Sequence, residues 1–203
     1  MHSIFSKCTY RSLSGTNVSR DFVELPSQFF EHWCSEPEVM RMYAKHYKTG
    51  QVIPDSLIAK IEASSAYGQG FINTELLAAS FLDMAYYSIT EPQKINVAEF
   101  EKNYLESIGL IPEIISRYRS TYFQHVFTTG YDAGYYSYTW AAVLDNDAFE
   151  LFKQNGVFDK KTADAFRKNI LEKGNTEDPM VLYKRYRGAE PSIDALLRNR
   201  GLK

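Results

Sequence analysis

Apolar residues recur along most of this chain at three- and four-residue intervals, the spacing that gathers them on one face of an α-helix. Phe22, Leu25, Phe29, Phe30 and Trp33 form one such stripe, and Leu57, Ile58 and Ile61, followed by Ala66, form a second. Pro54 and Asp55 suit the opening of that second helix, where a missing N–H costs little. From Thr74 to Ser88 the residues Leu76, Leu77, Phe81, Leu82 and Met84 predict a largely buried helix, interrupted by Asp83. Val97–Ile108 repeats the pattern, and Leu110–Pro112 closes it. A longer helix is predicted from Asp132 to about Gln154, with Gly156 as its stop. Asp159 then caps Lys160–Glu172, and Gly174 is that helix's C-terminal signal. Two more helices are expected near Asp178–Pro179 and Pro191. No alternating run of strand length persists, so the predicted class is all-α. No repeat, low-complexity tract or linker divides residues 1–203, which read as a portion of one domain.

Composition narrows the picture without changing it. The chain has 203 residues, 44% of them hydrophobic, which suffices for a buried core. A formal net charge of -2 leaves no basic stripe for a phosphate backbone, so nucleic acid is not an expected partner. The N-terminus lacks the charged-then-apolar layout of a secretory signal, and no run approaches the roughly 20 apolar residues needed to span a bilayer. The expected compartment is therefore the cytoplasm, with no membrane partner. Cys8 and Cys34 have no framework or metal-type spacing and read as ordinary thiols. The 15 tyrosines are more distinctive, because they cluster between Tyr118 and Tyr138. Tyrosine joins an apolar body to a hydroxyl and suits both half-buried packing and a peptide-binding cleft.

Two segments carry candidate chemistry. In Ser14–Gln28 (SGTNVSRDFVELPSQ), Glu24 stands one turn from Asp21 and Gln28, with Glu31 two turns on. On spacing alone that stripe of acceptors is a solvated helix face. In His125–Trp140 (HVFTTGYDAGYYSYTW), a histidine is followed by Gly130, Tyr131, Tyr135, Tyr136 and Tyr138. A lone histidine among aromatics reads as a core residue. Gly130, however, allows backbone to approach a ligand closely.

Together these segments resemble the thimet oligopeptidase-like zinc metallopeptidases, family M3, and within it the bacterial peptidyl-dipeptidases. The resemblance runs through most of the chain, including Phe152–Gly156, Ile170–Pro179 and Tyr186–Leu202, which look like the family's final helices. In those tail motifs Arg187 and Glu190 are expected to pair locally, and Asp194 to lie in a first helical turn. The resemblance implies a helical, two-lobed fold around a deep channel, of which this chain is the C-terminal part. It implies that Glu24, following D-F-V, is one zinc ligand, the other two being histidines of an H-E-x-x-H helix. Such a set leaves zinc an open position for water. Zinc lowers the pKa of that water to about 7, and the motif's glutamate takes its proton. The motif is absent here. The histidines are His2, His32, His46 and His125, none four residues from another. By position the ligand histidines would precede Met1, and His2 falls past them. A single carboxylate does not hold catalytic zinc, so the isolated chain is expected to be inactive.

The resemblance also implies that the tyrosine-rich stretch is a mobile loop over the cleft, in which His125, Tyr131 and Tyr138 face the scissile peptide. Tyr138 is the first choice for a donor to the developing oxyanion, with His125 as a further donor or orienter. Tyr131 and Gly130 would hold the substrate backbone, and Arg20 matches a position used near substrate. Tyr135 and Tyr136 should point elsewhere. Thr128 and Thr129 are β-branched and stiffen the approach to Gly130. Two functions are thus carried forward. One is part of a zinc peptidase that hydrolyses short peptides, releasing C-terminal dipeptides or cutting oligopeptides internally, with the rest of the same enzyme as partner. The other is a truncated helical scaffold that binds peptides or a partner without catalysis.

Overall fold

The computed structural model describes all 203 residues, and its regular elements are helical apart from one isolated antiparallel bridge between Lys45 and Val52. In chain order the α-helices are α1 (His2–Phe5), α2 (Arg20–Val23), α3 (Leu25–Ser35), α4 (Pro37–Tyr43), α5 (Asp55–Ser64), α6 (Gln69–Tyr87), α7 (Val97–Ser107), α8 (Gln124–Thr128), α9 (Ser137–Asn155), α10 (Lys160–Phe166), α11 (Pro179–Arg187) and α12 (Asp194–Asn199). The all-α class is as the periodicity predicted. No helix is long and apolar enough to cross a membrane. The chain forms two compact units, Met1–Tyr67 with Thr139–Lys203, and Gly68–Tyr138.

The first unit is built on an aromatic core. Phe29 of α3 stacks on Phe166 at 4.0 Å and meets Trp33, Phe152 and Phe149 edge-on at 5.1, 5.8 and 6.0 Å. Each such ring pair adds about 0.5–1.5 kcal/mol beyond its area burial. Helix ends follow the predicted chemistry. Asp159 accepts from the Thr162 N–H at 2.7 Å to open α10, which continues as a π turn over Arg167–Leu171. Asp178 caps α11 through the N–H groups of Met180 and Val181, with Pro179 at the first helical position. The segment leading to α2 is tied down by the Lys7 N–H to Glu172 carbonyl bond and the Asn175 N–H to Leu13 carbonyl bond, each 2.9 Å. Gly174 makes this possible. Its φ is +52°, and a Cβ there would stand 2.1 Å from the Leu13 carbonyl oxygen.

Several expectations need correction. The stripe from Phe22 to Trp33 is not one helix: it breaks at Glu24, between α2 and α3. Pro26 explains this, because it lacks the N–H that would bond the Phe22 carbonyl. The helix expected from Asp132 begins only at Ser137, since Ala133 sits at φ +51° in the preceding turn. The last helix begins at Asp194 rather than Pro191, with Asp194 in its first turn as expected. Arg187 does not pair with Glu190: it binds Asp147 at 3.1 Å, while Lys184 takes Glu190 at 3.1 Å. A buried carboxylate attracts the guanidinium more strongly than an exposed one.

The second unit contains α6, α7 and α8. Only one side of α6 is buried, through Ala78, Ala79, Ser80, Leu82 and Asp83, whereas Leu77, Phe81 and Met84 are exposed. Ala79 packs with Phe123, Val126 and Tyr135, and Ala78 and Leu82 pack with Leu105. The loop before α8 is pinned by Glu101, which accepts from the Ser120 N–H at 2.7 Å and pairs with Arg119. Tyr87 donates to the Val126 carbonyl at 2.7 Å and so anchors α8.

Candidate functional site

The second unit brings His125, Tyr131 and Tyr138 together. His125 lies in the short helix α8, and the Thr128 hydroxyl donates to the Gln124 carbonyl at 3.0 Å. The Thr129 hydroxyl likewise donates to the His125 carbonyl. The two threonines therefore hold the end of α8. Gly130 follows at φ +78° and turns the chain, a conformation open to glycine at no steric cost. Tyr131 then returns beside the histidine at 4.7 Å between ring centroids, and it stacks on Tyr138 at 5.4 Å and 9°. Across this turn the His125 Nε2 and the Tyr138 hydroxyl are 2.8 Å apart.

All three side chains are partly exposed, so a ligand can reach them. In the tautomer whose Nε2–H donates to the Tyr138 oxygen, the phenol keeps its own O–H as an oriented neutral donor; such a pair can polarise a carbonyl or orient a bound amide. Tyr135, expected to point elsewhere, instead packs against the cluster from its buried side, with its ring 5.4 Å from that of His125 and 5.3 Å from that of Tyr138. It is 3% exposed, meets Phe123 edge-on at 5.1 Å, and burial pushes its phenol up to about 12. Tyr136 is exposed on the outside of the turn.

In the first unit Glu24 occupies the junction of α2 and α3, half-buried, with its Oε2 accepting from the Ser27 hydroxyl at 2.7 Å. Arg20 opens α2 and is exposed. His2, which lies past the expected ligand positions, is 4% exposed. Burial holds its imidazole below the usual range, opposed by the Val23 backbone and the charge of Glu24. His32 and His46 are committed elsewhere. His32 Nε2 bonds Asp145 at 2.7 Å while its ring stacks on Phe149, and His46 Nδ1 accepts from the Thr49 N–H at 3.2 Å.

As a donor set for a metal, Glu24 fits one carboxylate position. No three His, Cys, Asp or Glu side chains of the chain converge to hold an ion. A residue that sequence reasoning undervalued is Asp83, noted only as an interruption of α6: its carboxylate accepts from the N–H groups of Ala133 and Tyr135. The available signal was an aspartate on the apolar side of a helix, where an unpaired carboxylate is costly.

Comparison with known proteins gives the family. The sequence profile described as Peptidase family M3 matches residues 1–202. A dipeptidyl carboxypeptidase of Escherichia coli is 41% identical over 204 positions, covering 100% of this chain and 30% of that protein. Oligopeptidase A of Salmonella typhimurium is 36% identical over 205 positions, again 100% of this chain and 30% of that protein. A thimet-like oligopeptidase of Dictyostelium discoideum is 29% identical with the same coverage. The chain thus spans about 30% of the length of the curated relatives it matches. With the profile matched over nearly every residue, the chain belongs to peptidase family M3.

Proposed function

We propose that residues 1–203 are the C-terminal portion of the catalytic domain of a cytoplasmic peptidase that hydrolyses short peptides and releases C-terminal dipeptides. Oligopeptide endopeptidase action is the nearest variant. The observation that carries this reading is the 2.8 Å contact between His125 and Tyr138, with Tyr131 stacked alongside. Amide hydrolysis builds negative charge on the peptide carbonyl oxygen, and Tyr138 is the neutral O–H that meets it. His125 orients that phenol through Nε2. Tyr131 and the Gly130 backbone hold the extended peptide, and Arg20 binds a substrate group.

Glu24 supplies one zinc ligand, and the remaining ligands come from a part of the enzyme outside this chain. When bound, zinc supplies a water of lowered pKa and a Lewis acid for the carbonyl. By itself the 203-residue chain is inactive on this reading.

The test uses the full-length enzyme. Tyr138→Phe should lower turnover by about 2–4 kcal/mol of transition-state stabilisation while zinc content holds, and wild-type turnover removes Tyr138 from the role. Glu24→Ala should strip zinc from the purified protein, measured by atomic emission; retained zinc sinks the ligand assignment.

A further inference from the structure

One buried ionisable group that the proposed chemistry leaves unused is Asp83. It is 0% exposed on the packed side of α6, in the same unit as the tyrosine cluster. Burial holds its carboxyl above the usual range, with the backbone donors opposing. Those donors are specific: Oδ1 accepts from the Ala133 N–H at 3.0 Å, and Oδ2 accepts from the Tyr135 N–H at 2.9 Å. Both belong to the turn that separates Tyr131 from Tyr138. The turn closes on itself through the Gly134 N–H to Tyr131 carbonyl bond at 2.8 Å, and Ala133 takes φ +51°. Ala133 is the one non-glycine residue in the chain with positive φ. N–H groups of neighbouring residues converging in such a turn form a concave anion site, a nest. Here the anion is the chain's own carboxylate.

The consequence reaches the candidate site through short covalent links. Tyr131 opens the turn and Tyr138 follows it by one helical step, and their rings stack at 5.4 Å. Tyr135, whose N–H is held by Asp83, plants its ring in the core and meets His125 edge-on at 5.4 Å. A carboxylate that fixes the peptides at 133 and 135 thereby fixes where 131 and 138 sit relative to His125. The isosteric amide could fill the space, but it offers one acceptor oxygen where the carboxylate uses two.

We propose that Asp83 is a positioning residue: its carboxylate fills the nest of the 131–135 turn and sets the His125–Tyr138 contact. This rests on the functional reading above for its catalytic meaning, and on the turn geometry alone for its structural content.

The test has two arms. In the unaltered full-length enzyme the Ala133 and Tyr135 amides, which lie outside any helix, should exchange about a hundredfold slower than free peptide amides; unprotected amides overturn the proposal without any variant. In Asp83→Asn the side chain keeps one acceptor and turns an NH2 group against the other N–H. Those two amides should then exchange about tenfold faster than in the parent, with α7 unchanged. The His125 ring resonances should shift in the same spectra. Unchanged exchange, or an unmoved His125 signal, in a folded variant overturns the proposal.

In full-length enzyme Asp83→Asn should lower kcat more than it changes KM, with zinc content held, because the substrate still binds to a site whose donor is displaced. A kcat at the parent value overturns the link to the site. Wild-type turnover of Tyr138→Phe with protected Ala133 and Tyr135 amides would instead sink the catalytic reading and leave the nest intact, so the two failures are distinguishable.

Discussion

Tyrosine does different work in the two units, and the contrast separates packing from chemistry. In the first unit Tyr183 and Tyr186 are buried, and their hydroxyls are spent on structure. Tyr183 donates toward Asp147 at 2.7 Å, and Tyr186 donates to the Ala148 carbonyl at 3.0 Å. Burial, together with Asp147 for Tyr183, raises both phenols. In the second unit Tyr131 and Tyr138 stand half-exposed at the edge of a small core, and Tyr138 meets an imidazole rather than a carbonyl. A hydroxyl bonded to main chain in a dry interior has no route to substrate. One bonded to histidine at an accessible edge can give its hydrogen bond to a reacting group. Residue type alone did not separate these cases. Burial and partner did.

The contrast can be broken or sharpened by substitution. The largest expected effect is Phe29→Ala in the first unit, which removes the ring on which five others pack and should cost about 3–5 kcal/mol of stability. Urea unfolding with intrinsic fluorescence would measure it, and a loss under 1 kcal/mol would mean that the aromatic core is not organised around Phe29. Next is Tyr183→Phe, which leaves the ring but takes the donor from buried Asp147. The expected cost is about 1–3 kcal/mol, because a carboxylate in a dry site loses a bond. If stability were unchanged, the hydroxyls of the first unit would be as idle as the contrast says they are not.

The smallest effect concerns pH. The Tyr135 phenol is pushed by burial from 10 up to about 12, so the folded state holds its proton where the unfolded state releases it. Its contribution is fully present below pH 10 and is lost as pH rises through about 12. Tyr135→Phe should therefore flatten the alkaline limb of the unfolding curve in that window. Equal slopes in the parent and Tyr135→Phe would show that Tyr135 is not the buried member of the cluster.

Much of the fold was legible in the residues. Periodicity found α5, α7 and α9 because an amphipathic helix writes its buried face into the chain every three to four residues. Asp159 and Asp178 marked helix starts because a short acceptor beside free N–H groups acts locally. Elements whose limits depend on distant partners were misjudged. The start of α9 was put at Asp132, since nothing near Ala133 announces that a carboxylate fifty residues away holds it at positive φ. Proximity in sequence offers Glu190 to Arg187, but Asp147 competes from another helix. The site divides in the same way. His125, Tyr131 and Tyr138 stood out by type and by resemblance, whereas Asp83 appeared only as a flaw in a hydrophobic stripe.

What the chain by itself determined is its helical class, most of its helix caps, its family and the residue types available for chemistry. These rest on short-range hydrogen bonds and on the regular spacing of apolar side chains, both encoded locally. Tertiary structure decided which tyrosines are buried and which are reachable, which nitrogen of His125 meets which phenol, and that Asp83 closes the turn between them. Those outcomes depend on burial and on contacts between residues far apart in sequence, which no local pattern specifies.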